Sequence, residues 1–414
     1  MQRVQGKTKY LLGLQHLLAM FGATVLVPFQ TGMDPTLALL GAGVGTLVFH
    51  LITGAQVPVF LGSSFAFIGA VHLVLLDQGL EAVKGAVIVT GLIYIIFAMI
   101  IKKVGVQRVQ QLFPPIVNGS IIILIGIRLS GVALSMVGLH AGESVDWLAL
   151  LIAASATITM IVAITVGHSF FKLIPILLAI VIGFATAIVV DLFFNTHFVS
   201  MDRVIEAPWF SLTGETFRSL VTIPRFDISA ILVIAPIALV VFIEHIGDMN
   251  TNGNVVGKNF IENPGIHRTM FGDGLASLTA GILGAPPNTT YSENTGVLAM
   301  TKVYDPSVIR LAAVYTIILS LIGKFGALIQ SIPIPVMGGI SIILFGSIAA
   351  MGAKTLAKAE IDFAHPRNLV ITAVILILGT GIDQIAITST VSISGLAVAG
   401  ILGVLFNLIL PKEY

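Results

Sequence analysis

Apolar residues run along this chain in blocks of about twenty, with no strand-like alternation and no narrow helical stripe. Charged residues and Pro/Gly breaks separate the blocks. A bilayer core about 30 Å thick takes roughly 20 helical residues per crossing, so each block is read as a candidate span. The first half gives blocks at 10–29, 35–54, 58–75, 82–101, 115–138, 146–167 and 172–194. A polar interval at 195–227 carries Trp209 and several charges. The second half gives blocks at 228–249, 266–285, 286–301, 306–330, 333–351, 368–381 and 391–410. A β-barrel would instead show strands of about 10 residues alternating polar and apolar.

Seven and seven spans place both termini on one side. Positive charge should then gather in the loops on that side. Arg3, Lys7, Lys9, Lys102, Lys103, Arg108, Lys172, Lys258, Arg268, Lys302, Arg310, Lys354, Lys358, Arg367 and Lys412 all fall there, so both termini are expected to be cytoplasmic. The opposite side has mainly Lys84 and the charges of the polar interval. The halves also echo one another. PVFLGSSF from Pro58 answers PPNTTYSE from Pro286, Gln15-His16 answers Glu244-His245, and PIVNGSIIILIG from Pro115 answers PVMGGISIILFG from Pro335. An odd number of spans per half makes the repeats inverted, a signature of secondary transporters with a midplane site where the repeats meet.

Composition narrows the class. Of 414 residues, 56% are hydrophobic and 10% charged, against about 25% charged in an average soluble domain. A soluble enzyme, a nucleic-acid binder and a disordered scaffold are therefore excluded. A net charge of +1 argues for no polyanionic partner. Absence of cysteine removes disulfides, thiolate metal sites and cysteine nucleophiles. No zinc-protease helix, triad order or phosphate loop is present, so no metal, cofactor or enzymatic activity is expected. The N-terminus is too short and polar for a cleaved signal.

Two blocks are poor membrane helices. VPVFLGSSFAF and APPNTTYSENTG put Pro, Gly, Ser, Thr and Asn at membrane depth, where irregular backbone survives only if protein surrounds it or it lines a cavity. One reading is a pair of half-helices with N-termini turned to a ligand, and the other a pair of kinked helices with none. Ionisable residues at this depth are few and costly: His16, Glu244, His245, Asp248 and Glu293. Glu244 and Asp248, four apart, share a helix face, with His245 turned about 100° away. With Glu293 nearby, three carboxyl groups in low dielectric cannot all be ionised together, as a proton-coupled carrier requires. Blander roles are open as well. Gln15-His16 fits a helix–helix hydrogen-bond pair, Arg128 and Lys324 fit carboxylate partners or snorkelling cations, and GAGVG at 41–45 fits close helix packing.

Residues 293–302, ENTGVLAMTK, match the signature of the nucleobase-ascorbate transporters: Gln or Glu, Asn, any residue, Gly, four more, Thr, then a basic residue or Gly. The chain also has that family's Gln-His pair at Gln15-His16, its LGSSFAF segment from Leu61, and its acidic eighth span at Glu244. It is identified as a member over its whole length and resembles most the bacterial uracil permeases.

The resemblance implies an all-α polytopic fold of fourteen spans in two inverted seven-helix repeats, with short strands before half-helices three and ten. It implies a core domain (1–111 and 228–331) and a gate domain (112–227 and 332–414) in an inner membrane. It implies uracil:proton symport, with uracil and the proton as partners alongside the bilayer, and leaves room for a homodimer through the gate domain. Carried over, Glu244 and Glu293 bind the pyrimidine, amides of Phe65 and Ser292 complete the cradle, and Tyr291 lines the site. Glu244, Asp248, Glu293 and His245 are expected in proton coupling, with Gln15, His16, Asn294, Thr295 and Gly296 in support. Glutamate first in the signature favours uracil over the purines xanthine and urate. Asp248 and Phe345 stand where uracil permeases often have His and Tyr, and aspartate where Asp248 stands also occurs in purine-transporting relatives. An anion exchanger or channel on the same fold would call for a cation where Glu293 stands.

Overall fold

A computed structural model describes residues 6–105, 107–108, 114–140, 142, 144–168, 171–386 and 392–411. Arg3, Lys412 and the 111/112 domain boundary expected from the sequence lie outside the described residues. The chain opens with α1 (Lys7–Thr31) and α2 (Pro35–Ile52), the latter begun by Asp34, whose side chain accepts from the Thr36 N–H at 2.8 Å. An extended stretch with strand β1 (Leu61–Ser63) and one 3-10 turn then leads into α3 (Ile68–Val104). Gly79, at φ 82°, breaks α3 in two, a left-handed conformation that glycine takes at no Cβ cost. The break falls between the blocks expected at 58–75 and 82–101. Next come α4 (Pro115–Met136), α5 (Trp147–Thr165) and α6 (Pro175–Phe194).

The polar interval folds into two short helices, α7 (Asp202–Glu206) and α8 (Gly214–Val221). Lysines from membrane helices hold both. Lys84, 1% exposed, donates to the carbonyls of Ser219 and Leu220 at the end of α8, and Lys324 donates to those of Val204 and Ile205 in α7. These bonds answer the orphan carbonyls of helix C-termini. Lys324 therefore caps a helix rather than pairing with a carboxylate. Arg128 takes both roles, bonding the Ile382 carbonyl at 2.6 Å and the Asp383 carboxylate at 3.0 Å.

The second half contains α9 (Ile228–Ile234), a 3-10 turn at Ala235–Ile237 where Pro236 interrupts the span, and α10 (Ala238–Val256). Then follow α11 (Ile266–Leu283), β2 (Asn288–Thr290), α12 (Ser292–Thr301), α13 (Pro306–Ser320), α14 (Gly323–Gln330) and α15 (Ile334–Lys358). The chain ends with α16 (Pro366–Gly381), a strand pair β3 (Gln384–Ala386) and β4 (Ser392–Ser394), and α17 (Gly395–Ile409).

Each expected block contains helix. Among the described residues eight helices are long and apolar enough to cross a bilayer, and α13, α16 and α17 are shorter apolar helices. Large apolar side chains such as Leu192, Phe193 and Leu51 are about 80% exposed, the surface of a multi-pass membrane protein.

Two packing arrangements position the site. Glycines of α2 let it lie directly on α11 and α13, since an added Cβ at Gly45 would come 3.1 Å from Ala276, and one at Gly43 would come 2.6 Å from Ile317. The GAGVG run is thus a packing motif, as the small-residue spacing suggested. Helices α4 and α15 cross equally closely at Gly126 and Gly352.

Candidate functional site

The two irregular segments meet. β1 and β2 pair antiparallel, Leu61 with Thr290, Gly62 with Thr289 and Ser63 with Asn288. The ladder continues one bond each way, from the Ser64 N–H to the Pro287 carbonyl and from the Tyr291 N–H to the Phe60 carbonyl, both at 2.9 Å. Buried backbone in a membrane protein must find partners inside the protein, and these short strands supply them to one another. A helix begins at each end of the ladder, one turn at Phe65 and α12 at Ser292. First-turn N–H groups there have no partner within the helix, and they carry the positive end of its dipole.

Several side chains fix this unit. Tyr291 is 3% exposed; its hydroxyl donates to the Ser63 carbonyl at 2.9 Å, and its ring lies where a Cβ on Gly62 would come within 2.5 Å. Tyr291 thus braces the ladder from within the protein. Asn288 reaches from β2 to the Gly41 carbonyl at 2.9 Å, and Ser277 of α11 donates to the Asn288 carbonyl at 2.8 Å. Thr46 of α2 bonds both the N–H and the carbonyl of Leu61. Asn294 donates to Nδ1 and the backbone carbonyl of His16 at 3.2 and 3.0 Å, tying α12 to α1. His16 is 1% exposed and so serves the helix–helix bond; Gln15 is half-buried beside it. Thr295 accepts at 3.0 Å from Asn252 of α10.

Against this scaffold stand the carboxyl groups. Glu244 is exposed, although Val241–Ile243 before it and His245 after it are buried, so its side chain faces open space. Gly247, Thr251, Ser292 and Gly296 are exposed as well, which gives α10 and α12 one open, polar face each. Glu293 is half-buried, and its carboxyl bonds its own backbone N–H at the start of α12. Glu244 lies within electrostatic reach of Asp248, Glu293 and Asp273. Asp248 is already engaged: Oδ2 accepts from the Thr290 hydroxyl at 2.6 Å and Oδ1 from the Ser292 hydroxyl at 2.8 Å. It grips the residues on either side of Tyr291. Phe65 is half-buried on the other strand–helix unit, one turn before Gly69, where nothing lies within 4 Å of an added Cβ.

His245 points away from this face. Nδ1 stands 3.2 Å from Asp273 Oδ2, and Nε2 lies 2.9 Å from the Thr269 hydroxyl, with His245 and Asp273 both 0% exposed. Thr269 donates its own proton to the Ile266 carbonyl, so it accepts from Nε2–H, which leaves Nδ1 at ion-pair distance from Asp273. Asp273 is absent from the site residues expected from the sequence. Its signal was available: GDG at 272–274 is an acid inside a predicted span. Among the described residues no group of three or more His, Asp or Glu side chains could hold a metal ion.

Comparisons place the molecule. The Permease family model (Xan_ur_permease) matches residues 7–409. The chain is 42% identical over 400 residues to a uracil permease of Bacillus caldolyticus, covering 97% of this chain and 91% of that one. It is 41% identical over 400 residues to a uracil permease of Escherichia coli (strain K12), covering 96% and 90%. A putative pyrimidine permease, RutG, of the same organism is 34% identical over 408 residues, covering 97% and 89%. Among solved structures, the transmembrane domain of a cyanobacterium bicarbonate transporter, BicA, superposes with TM-score 0.64 at 16% identity, covering 98% of each chain. Murine Slc26a9, an anion transporter, does so with TM-score 0.70 at 9% identity, covering 99% of this chain and 69% of that one. These two likenesses concern the fold alone. With the signature at Glu293, a family match across nearly the whole chain and relatives about 40% identical, the chain belongs to the Permease family and is a membrane permease rather than an enzyme.

Proposed function

We propose that this permease takes up uracil with a proton by alternating access. The observation that carries the reading is the carboxyl pair, exposed Glu244 and half-buried Glu293, beside two helix starts, in a chain about 40% identical to proteins named uracil permease. Uracil presents ring N–H donors and carbonyl acceptors. Carboxyl oxygens of Glu244 and Glu293 accept from the first, and amides of Phe65 and Ser292 donate to the second. Tyr291 serves the site by holding the ladder to which those amides belong.

Proton coupling follows from crowding. Three carboxyl groups share one low-dielectric region, so loading a proton on Glu244 or Glu293 and losing it after translocation fits the cluster. Asp248, with each oxygen taken by a hydroxyl, suits setting the charge around the pair better than carrying the proton itself. The buried His245–Asp273 pair backs Glu244 from the other side of α10.

The architecture in this reading is fourteen spans in two inverted repeats. A core domain (1–111 and 228–331) carries the site, and a gate domain (112–227 and 332–414) moves against it. Support comes from the ladder joining equivalent segments of the two halves, β1 with β2. The membrane is the inner one, both termini are cytoplasmic, and a homodimer would form through the gate domain.

The test is uptake of radiolabelled uracil into proteoliposomes with an imposed proton gradient. Uptake should rise with the gradient and fall with excess unlabelled uracil, while xanthine and sulfate leave it unchanged. Equal inhibition by xanthine would point to a purine carrier, and uptake indifferent to the gradient would end the proton coupling.

A further inference from the structure

A cavity lies between α12, α1 and the start of α6, with one carboxyl of the cluster in its wall. A space of about 210 Å³ separates α12 from α1 and from the turn that starts α6, with Leu18, Ala19, Lys172, Pro175, Glu293 and Gly296 among the residues around it. The remaining walls are aliphatic or methionine, so Lys172 and Glu293 are the two ionisable groups that line it. Its far end is shut where α1 lies on α6, since a Cβ at Gly22 would come 2.2 Å from Ile176. Higher on α1, Gln30 donates to the Ser341 hydroxyl of α15 at 2.6 Å and holds that end of the molecule together. Lys172 is exposed, and the Phe171–Leu173 turn packs against α12. Lys172, at the turn before α6, and Glu293, at the start of α12, therefore line one cavity.

We infer that Lys172 is a positioning residue for proton release: its ammonium faces Glu293 along this cavity and draws the Glu293 proton off to the side of the chain termini. The inference rests on the proton-coupled reading above. In the step, the Glu293 O–H bond breaks, its electron pair stays on the carboxylate, and the proton passes to water beside Lys172. Nothing is oxidised or reduced. An ammonium on a flexible stem beside an apolar cavity acts over a longer range than it would in water. Other groups face Glu293 too. Asp248 and Glu244 approach from α10, and His16 of α1 is held by Asn294. Beside Lys172, the carbonyl of His168 accepts its backbone N–H at 3.2 Å. Among these, Lys172 is the one amine side chain.

Net uptake requires the proton to leave on this side. Exchange of labelled for unlabelled uracil does not, because the loaded carrier can return with its proton. Lys172→Met, Lys172→Glu and Lys172→Arg should therefore be compared in proteoliposomes, in gradient-driven net uptake and in uracil counterflow. The expected result is net uptake at least fivefold lower in Lys172→Met and lower still in Lys172→Glu, with counterflow within twofold of wild type and net uptake restored in Lys172→Arg. Retained counterflow shows that each variant is folded and binds uracil. Net uptake and counterflow falling together, neither falling, or no rescue by arginine would overturn the role of Lys172. If wild-type net uptake itself ignores the imposed gradient while counterflow persists, proton coupling fails, and the inference falls with it.

Discussion

Asp248 joins α10 to the strand–helix unit at β2 through two short hydrogen bonds, from Thr290 at 2.6 Å and from Ser292 at 2.8 Å. Removing them one at a time separates a clamp from a proton relay. Bonds to a charged group are each worth about 1.5–3 kcal/mol. Thr290→Val or Ser292→Ala deletes one donor and leaves the Asp248 carboxyl group in place. Asp248→Asn keeps one acceptor oxygen and replaces the other by an amide, which loses one bond and weakens the second. Each change should cost the bound geometry about 2 kcal/mol, which is on the order of 30-fold in an equilibrium constant. That loss should appear as weaker uracil binding, because Ser292 opens α12 and its N–H is part of the proposed cradle. Binding of radiolabelled uracil to detergent-purified variants measures it, with the double variant Asp248→Asn/Thr290→Val closing a cycle. Bonds within one clamp should be non-additive, the double falling short of the sum of the singles. Wild-type binding in Thr290→Val and Ser292→Ala, with loss confined to Asp248→Asn, would refute the clamp and favour a relay through Asp248.

Other outcomes follow from neighbouring geometry. Gly62→Ala forces a methyl to 2.5 Å from the Tyr291 ring, which cannot yield without breaking its bond to Ser63, so thermal unfolding should come earlier by about 1–3 kcal/mol of overpacking. Gly296→Ala meets nothing within 4 Å on the open face of α12, so it should leave the melting temperature equal or raised while weakening uracil binding. Equal melting temperatures in the two variants would contradict the assignment of buried and open faces. Asp273→Ala leaves His245 Nδ1 without its buried partner and should cost about 3–5 kcal/mol of stability, seen as a lowered melting temperature in detergent. An unchanged melt would show that the pair is not a structural charge pair.

Much of this was legible in the chain, for physical reasons that differ by element. Block hydrophobicity marks helices because a span must be apolar along its whole length, and every expected block does contain helix. Length misleads at α12: ten residues make a helix but not a crossing, and the rest of that block is strand and loop. The strands themselves are three residues each, too short for any alternation to register; proline, glycine and small polar residues gave only irregular backbone, and β3–β4 had no such cue. At the site, the i,i+4 spacing correctly put Glu244 and Asp248 on one side of α10 and turned His245 away. Spacing could not say that Thr290 and Ser292 would occupy Asp248, 42 and 44 residues away, nor that Tyr291 would be buried against Ser63, 228 residues away, because each depends on contacts between distant segments. Asp273 escaped for a related reason: its significance lies in the partner, His245, which sequence alone does not bring near.

The proposed binding site rests on Glu244 and Glu293, so the most direct measurement is equilibrium binding of uracil to purified wild type, Glu244→Gln and Glu293→Gln, with a melting curve for each. A carboxylate that accepts an N–H bond is replaced by an amide of the same shape, so folding should be preserved while binding weakens at least tenfold in each variant. Wild-type affinity in both variants would contradict the assignment of the site to this pair.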